Sequence, residues 1–297
     1  MSINSHTHDK PVIGVIGGSG LYNISGLSDQ QWVEVDTPWG KPSDQLLKGT
    51  LDGVSCVFLP RHGRGHVYSP TDVNYRANIA AMKKLGVTDL VSVSAVGSLK
   101  EELSPGTFVV VDQLIDRSRL RTKSFFEKGL VAHVSLADPF CPKLSQMLYE
   151  QAKQLEIKVV KGGTYLVMEG PQFSTRAESQ LYRSWGASVI GMTNMPEAAL
   201  AREAEICYAT IAMVTDYDCW HEEHDAVSVE AVVRILKQNA RHASSLVEKF
   251  IPALGKRPQG NSECQCKHAL DYALITALEK RDPVLVERLK TIAGRVL

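Results

Sequence analysis

Neither sign of charge dominates this sequence: 33 Lys and Arg face 33 Asp and Glu across 297 residues, for a formal net charge of zero. That balance excludes a general electrostatic pull toward nucleic acid or an anionic membrane surface, so any bound anion must be held by local groups. No apolar run approaches the roughly 20 residues of a membrane-spanning helix. The opening MSINSHTHDK is polar and His-bearing, unlike a signal peptide. A cytoplasmic protein is expected, nuclear presence being compatible, with no nucleic-acid or membrane partner. There is no internal repeat. Cysteine is sparse: Cys56, Cys141, Cys207 and Cys219 stand singly in or beside apolar runs, where a buried thiol is expected and not a disulfide framework. Only Cys264-Gln265-Cys266 looks paired, in a polar segment, as an exposed oxidisable pair or an idle linker. What is abundant is ordinary globular material, 44% hydrophobic and 22% charged, enough to bury a large core.

Near the start, "VIGVIGGSGL" (12–21) is an apolar run that breaks into glycines around one serine. Glycine accepts positive φ and lets a ligand approach the backbone N–H groups, so a turn of this kind suits an anion. The known phosphate loops do not fit. A dinucleotide fingerprint begun at Gly18 and Gly20 meets Asn23 where a third glycine belongs, and no Gly-Lys-Ser or Gly-Lys-Thr follows. The stretch reads as a strand and an anion-binding turn, with a ligand-free βα turn as the alternative.

β-Rich runs ("VIGVIG", "VSCVFLP", "DLVSVSAVG", "TFVVVDQLI", "TYLVMEG", "SVIGM", "ICYATIAMVTD") alternate with helical patterns at 73–85, 142–155, 176–185 and 228–250. The alternation predicts an α/β fold, one domain with a central β-sheet flanked by helices. Continuous hydrophobicity within the runs predicts strands covered on both faces, as in a mostly parallel sheet. Near Ile251-Pro252 the composition changes to a linker, "ALGKRPQGNSECQCK", followed by helical patterns at 268–280 and 283–293. The organisation is therefore a flexible N-terminus at 1–10, a main domain at 11–252, and a linker with a helical tail at 253–297.

Ligands of α/β sheets sit at the carboxyl ends of strands. Just past the apolar runs stand Arg61 and His62, a second small-residue turn Ala95-Val96-Gly97-Ser98 after Ser94, Thr193, and Asp216-Tyr217-Asp218. With Ser19 they offer what a lone phosphate needs: hydroxyl, backbone and charge-assisted donors. Singly, a strand-end His is usually structural and an Arg usually a surface ion pair; it is the set that carries the inference. "CWHEEHD" (219–225) holds His221 and His224 beside acids, but a polar loop explains it without a metal, and none is expected.

At these residues the chain resembles the 5′-methylthioadenosine phosphorylases of the trimeric purine nucleoside phosphorylase family. The stretches "IGVIGGSGL", "DTPWGKPSD", "RHGRGHVYSP", "VNYRANI", "DPFCP", "EGPQFSTRAES", "GMTNMPEAALAREA" and "VTDYDCW" carry the likeness, in order, from about Pro11 to Pro252. The resemblance implies a mixed central sheet and phosphorolysis of 5′-methylthioadenosine to adenine and 5-methylthioribose 1-phosphate, without a cofactor, phosphate being the co-substrate. It assigns Ser19, Arg61, His62, Ser94, Ala95 and Thr193 to phosphate, Met192 to ribose, and Phe173, Ser174, Asp216 and Asp218 to the base. It also implies a homotrimer with interfacial sites, His133 reaching a neighbour's nucleoside. Ser19, where threonine is usual, keeps a hydroxyl; Val96, where cysteine is usual, stays small and apolar.

The chemistry agrees with that assignment. Cleaving an N-glycosidic bond builds cationic charge on the sugar, which a phosphate dianion beneath C1′ both attacks and stabilises. The departing purine needs a proton or strong hydrogen bond at N7, assigned to Asp216; burial beside Asp218 raises its pKa in the needed direction. Helix capping or pairing with lysines is the plainer role for these aspartates. A 6-oxopurine nucleoside phosphorylase, acting on inosine or guanosine, is the alternative function. A carboxylate suits adenine's 6-amino group, whereas a 6-oxo group calls for an amide. A non-catalytic binding protein would not need all these strand-end groups, and a hydrolase would not need Arg61 and His62. Val229 and Val232, three apart on a helix, are candidates for the wall against the 5′-methylthio group, core packing being the alternative.

Overall fold

The computed structural model describes residues 11–18, 21, 24–221, 229–257 and 264–297, and of 229–233 the backbone only. The segment at 1–10, expected to be flexible, lies outside the described residues, as does Ser19. The strands are β1 (Ile13–Gly17), β2 (Ser28–Val33), β3 (Leu46–Leu51), β4 (Val54–Pro60), β5 (Asp89–Ser98), β6 (Phe108–Val110), β7 (Gln113–Asp116), β8 (Val159–Lys161), β9 (Thr164–Val167), β10 (Val189–Gly191) and β11 (Cys207–Asp216). The helices are α1 (Tyr75–Lys84), α2 (Pro142–Gln154), α3 (Arg176–Ser184), α4 (Asn194–Glu203), α5 (Val229–Gly255) and α6 (Pro283–Ala293).

Local chemistry starts the helices where the pattern predicts them. Asn74 caps α1 by accepting from Ala77 N. Thr175 and Glu178 close a capping box on α3, and Asp282 followed by Pro283 opens α6. The continuously apolar strands are buried as expected: every residue of β1, and β11 up to its last residue. One apolar core lies between the sheet and α1, α4 and α6, with Ile79, Leu200 and Leu289 fully buried. The other lies beneath α2 and α5, around Leu144, Ile251 and Leu254. The sheet is thus sandwiched between helices.

The sheet is mixed, not mostly parallel. β1, β4, β5 and β11 run parallel, but β10 joins β5 antiparallel, β6 joins β11 antiparallel, and β2, β3 and β4 form a meander. Its order is β2-β3-β4-β1-β5-β10-β9-β7, with β11 on β5 and β6, and β8 on β6. The run "TFVVVDQLI", expected as one strand, is two: β6 pairs with β11 and β8, β7 with β9. Asp112 breaks the run by accepting from Gly163 N. The helix expected over 268–280 is instead a pair of 3₁₀ turns, Gln265–His268 and Leu278–Lys280, between which the chain bonds to 131–133.

The long strand β5 positions the site. Its first half, to Ser92, pairs with β1, and only its last two residues, Gly97 and Ser98, pair with β10. Between them, Val93–Val96 have no strand neighbour on that edge among the described residues, while the opposite edge is covered by β11. The fork lies at the carboxyl ends of β1 and β4, a topological switch of the sort at which α/β sheets bind ligands.

Candidate active site

Arg61 directly follows β4, its N–H bonded to Gly17 O across the tip of β1. Its side chain is 2% exposed and turns inward. Nε and Nη2 grip Glu197 at 2.8 and 3.0 Å, Nη2 also reaches Ser92 Oγ at 2.7 Å and Ile16 O at 3.2 Å, and Nη1 donates to Val93 O at 3.1 Å. Burial opposes the Arg61 charge, but the Glu197 carboxylate outweighs it and the guanidinium is held more firmly protonated than usual. Most of the fork of donors expected to meet phosphate thus binds together the tips of β1, β4 and β5 and the first turns of α4.

His62 is half-buried, its Nδ1 2.9 Å from Tyr68 O and its ring stacked on His66 at 4.3 Å. Burial, then the adjacent Arg61 charge, lowers its pKa to about 4. At neutral pH the ring is therefore uncharged, with the proton on Nδ1 directed at the carbonyl and Nε2 left as an acceptor. With Arg61 neutralised by Glu197, this part of the site carries little net charge.

Ser94 and Thr193 are the unsatisfied members of the set. They are 6% and 7% exposed, and neither hydroxyl has a hydrogen-bond partner among the described residues. Buried polar atoms are nearly always paired, so two neighbouring orphans mark a place where a polar ligand completes the network. Tyr165, fully buried on β9, brings its hydroxyl toward both, and a Cβ on Gly191 would lie 2.0 Å from it, so only glycine fits there. Ala95, between these groups and the far end of β5, is exposed.

Asp216 lies opposite Gly97 at the end of β11. Its carboxylate accepts from Thr215 Oγ1 at 2.7 Å and Asp218 N at 2.8 Å. Asp218 adopts φ 54°, and its Oδ2 is buried without a partner among the described residues. Burial raises both pKa values, and for Asp218 the Asp216 charge raises it further. A Cβ at Gly97 would sit 3.0 Å from Asp216 Oδ1 and 3.3 Å from Asp218 Cβ, so the carboxyl pair packs directly on the glycine.

The remaining candidates are more scattered. Met192 is half-buried, its carbonyl accepting from Arg121 Nη1 at 2.6 Å. Ser174 Oγ contacts Met168 Sδ at 3.7 Å, and Ser174 O lies 3.3 Å from Cys219 Sγ. Phe173 is 82% exposed and uncovered within one chain. His133 is exposed, its backbone N–H bonded to Ala273 O. Val229 and Val232 lie on the first turn of α5, their side chains outside the description; His224 lies outside it altogether.

Sequence reasoning missed Glu197, Tyr165 and Arg121. Arg121 braces the rear of the site: it donates to Met192 O, Met195 O, Glu169 O and the Glu169 carboxylate, at 2.6 to 3.1 Å. Burial opposes the Glu169 charge, but N–H donors from Arg119 and Leu120, with Thr71 and Arg121, hold its pKa near 2. The alternation of arginines in "RSRLRTK" carried no periodic signal to single out Arg121. The expected exposed pair Cys264 and Cys266 is also corrected: Cys266 is 3% exposed and Cys264 half-buried. Among the described residues no helix is long and apolar enough to cross a membrane.

Comparison with known proteins bears on this geometry. Residues 12–252 match the profile of the phosphorylase superfamily. The S-methyl-5′-thioadenosine phosphorylase of Cereibacter sphaeroides is 61% identical, covering 97% of this chain and 99% of the relative. That of Rhodospirillum rubrum is 59% identical, with 99% of each chain covered. Among solved structures, a methylthioadenosine phosphorylase from an antarctic soil metagenomic library superposes with a TM-score of 0.90 at 45% identity, over 96% of this chain and 99% of that one. A methylthioadenosine phosphorylase from Schistosoma mansoni, in complex with adenine, gives 0.78 at 37% identity over 84% and 93%. The chain belongs to the phosphorylase superfamily and, within it, to the S-methyl-5′-thioadenosine phosphorylases.

Proposed function

We propose that the protein cleaves 5′-methylthioadenosine with inorganic phosphate, yielding adenine and 5-methylthioribose 1-phosphate, as a cytoplasmic enzyme of purine and methionine salvage. One observation carries the proposal: two buried, unpartnered hydroxyls, Ser94 and Thr193, at one end of a strand fork whose other end carries two half-buried carboxyls of raised pKa. The relatives' shared name supports the choice of nucleoside.

Phosphate sits at the fork, accepting hydrogen bonds from Ser94, Thr193, the Ala95 backbone and the Ser19 turn. His62, neutral with Nε2 as acceptor, takes the P–OH hydrogen of the dianion instead of donating to it. Arg61 contributes through its remaining Nη1 hydrogen and by fixing the strand tips. Because these donors are largely neutral, the dianion keeps its charge beneath C1′, where it stabilises the cationic sugar as the bond breaks. Met192 flanks the ribose, and Phe173 and Ser174 lie against the base. Asp216, protonated more readily than an exposed aspartate, supplies the hydrogen bond or proton at N7 as negative charge develops on the purine. Asp218, its Oδ2 free to accept, meets the 6-amino group. Val229 and Val232 form the wall for the methylthio group. In the homotrimer, His133 of a neighbouring subunit completes the nucleoside pocket and covers Phe173. The scheme uses no metal or organic cofactor.

The substrate choice is tested by comparing 5′-methylthioadenosine, adenosine and inosine at saturating phosphate. Release of adenine from the first with the highest kcat/KM supports the proposal. Preference for inosine transfers it to a 6-oxopurine nucleoside phosphorylase.

A further inference from the structure

Four cysteines that the phosphorylase reaction does not use converge on the side of the sheet covered by α2. Cys141 immediately precedes α2, Cys207 opens β11, and Cys264 and Cys266 flank Gln265 at the start of the C-terminal tail. Their four sulfurs all lie within 4.8 Å of one another, Cys207 and Cys264 at 3.0 Å, and three of the four residues are buried. We propose that Cys141, Cys207, Cys264 and Cys266 form a tetrahedral zinc site that fastens the C-terminal tail to the domain.

The donor set selects the metal. Four thiolates in a closed shell are the ligands of structural zinc, and Zn–S bonds of about 2.3 Å place tetrahedral sulfurs about 3.8 Å apart. Two disulfides would require only pairwise proximity, with each S–S near 2.05 Å; here all four sulfurs share one volume. Binding releases the thiol protons, four thiols and one Zn²⁺ giving a tetrathiolate of net charge −2 and four protons, so basic neighbours matter. Two are present. Arg202 Nη1 lies 3.7 Å from Cys266 Sγ, and Arg257, held by Asp89 at 2.8 and 2.9 Å, is within electrostatic reach of Cys207 and Cys264. Cys141, at the N-terminus of α2 and with no side-chain cap bond, adds the helix dipole to the stabilisation of its thiolate. Cys264, half-buried, leaves a route for metal entry and loss.

The consequence lies in the tail. Residues 264–297 fold back over the domain, with Leu285, Leu289 and Ile292 joining the core beside α1, and with Ala273 O and Thr276 Oγ1 receiving the N–H groups of His133 and Val131. A metal joining Cys264 and Cys266 to Cys207, 57 positions before Cys264, anchors the point where the tail begins.

The test is metal analysis of the intact protein, produced with zinc available and purified without chelator. One zinc per chain is expected. Replacing zinc with cobalt(II) should then give the visible ligand-field and sulfur charge-transfer bands of a tetrahedral tetrathiolate. The variant Cys264→Ser/Cys266→Ser should retain less than about a tenth of the zinc and unfold at a lower Tm, as should the native chain after chelation, because a metal bound only by the folded state stabilises it. Should the variant not fold, the zinc and cobalt measurements on the native protein decide alone. Absence of zinc overturns the proposal, whether the thiols are then all free or the intact mass reveals the hydrogen loss of disulfides; iron in its place overturns it equally.

Discussion

Replacing Arg61 with alanine should act first on stability and only second on phosphate. Arg61 and Glu197 are 2% and 1% exposed, and four other acceptors or donors surround them: Ser92, Ile16 O, Val93 O and the Tyr208 hydroxyl, 2.8 Å from Glu197. Removing the cation strands a buried carboxylate, at a cost of about 3–5 kcal/mol. With about 2–4 °C lost per kcal/mol in a chain approaching this size, Tm should fall by roughly 6–20 °C. Arg61→Met/Glu197→Leu removes both charges and should recover much of that loss, since no uncompensated ion remains. Calorimetry of the two variants with the parent checks this, and phosphate KM measured well below each Tm separates the two roles. Arg61→Ala with a Tm within about 2 °C of the parent and a strongly raised phosphate KM would refute the reasoning: the guanidinium would then serve the ligand rather than the fold.

Three further expectations follow from the same geometry. Ser94→Ala and Thr193→Val each remove a donor that lacks a protein partner, so stability should hold or rise while phosphate KM increases roughly 10- to 150-fold, the equivalent of about 1.5–3 kcal/mol for a hydrogen bond to a charged group; steady-state kinetics with phosphate varied, alongside Tm, checks both. Asp216→Asn should sharply lower turnover of 5′-methylthioadenosine with little loss of stability, and should raise activity on inosine relative to it, because the amide can donate to a 6-oxo group; equal losses on both nucleosides would remove Asp216 from the base site. Burial raises the Glu203 pKa from 4.5 to about 7, against bonds from Phe125 N and Ser124. Its protonated form therefore favours the folded state, a contribution of roughly 3 kcal/mol that is fully present below pH 4.5 and is lost as pH rises through about 7. Glu203→Gln should flatten the decline in Tm across that window, and an unchanged profile would show that Glu203 is not its source.

The parts legible in the sequence are those encoded locally. Continuous apolar runs placed β1, β4, β5 and β11; Arg61 directly follows β4, Asp216 ends β11, and Ser94 lies within β5 just past its pairing with β1. What the sequence concealed depends on pairing over long separations. Glu197 is 136 residues from Arg61, and nothing near either announces that the arginine's donors are spent on it. The mixed character of the sheet, implied by the family resemblance but invisible to the hydrophobic pattern, turns on which edge of β5 accepts β10, a choice made in three dimensions. Cys264-Gln265-Cys266 looked like linker chemistry because its partners, Cys141 and Cys207, come from the start of a helix and the start of a strand. The turns at 265–280 lost their expected helix to a competing interaction, the bonds from 131–133 to Ala273, Ile275 and Thr276.

In this reaction inorganic phosphate is the nucleophile. The most direct measurement is to incubate the protein with 5′-methylthioadenosine with and without inorganic phosphate and quantify adenine and sugar phosphate together. Adenine and 5-methylthioribose 1-phosphate are expected in equal amounts with phosphate present, with almost no cleavage in its absence. Undiminished adenine release without phosphate, with free 5-methylthioribose as the other product, would contradict this.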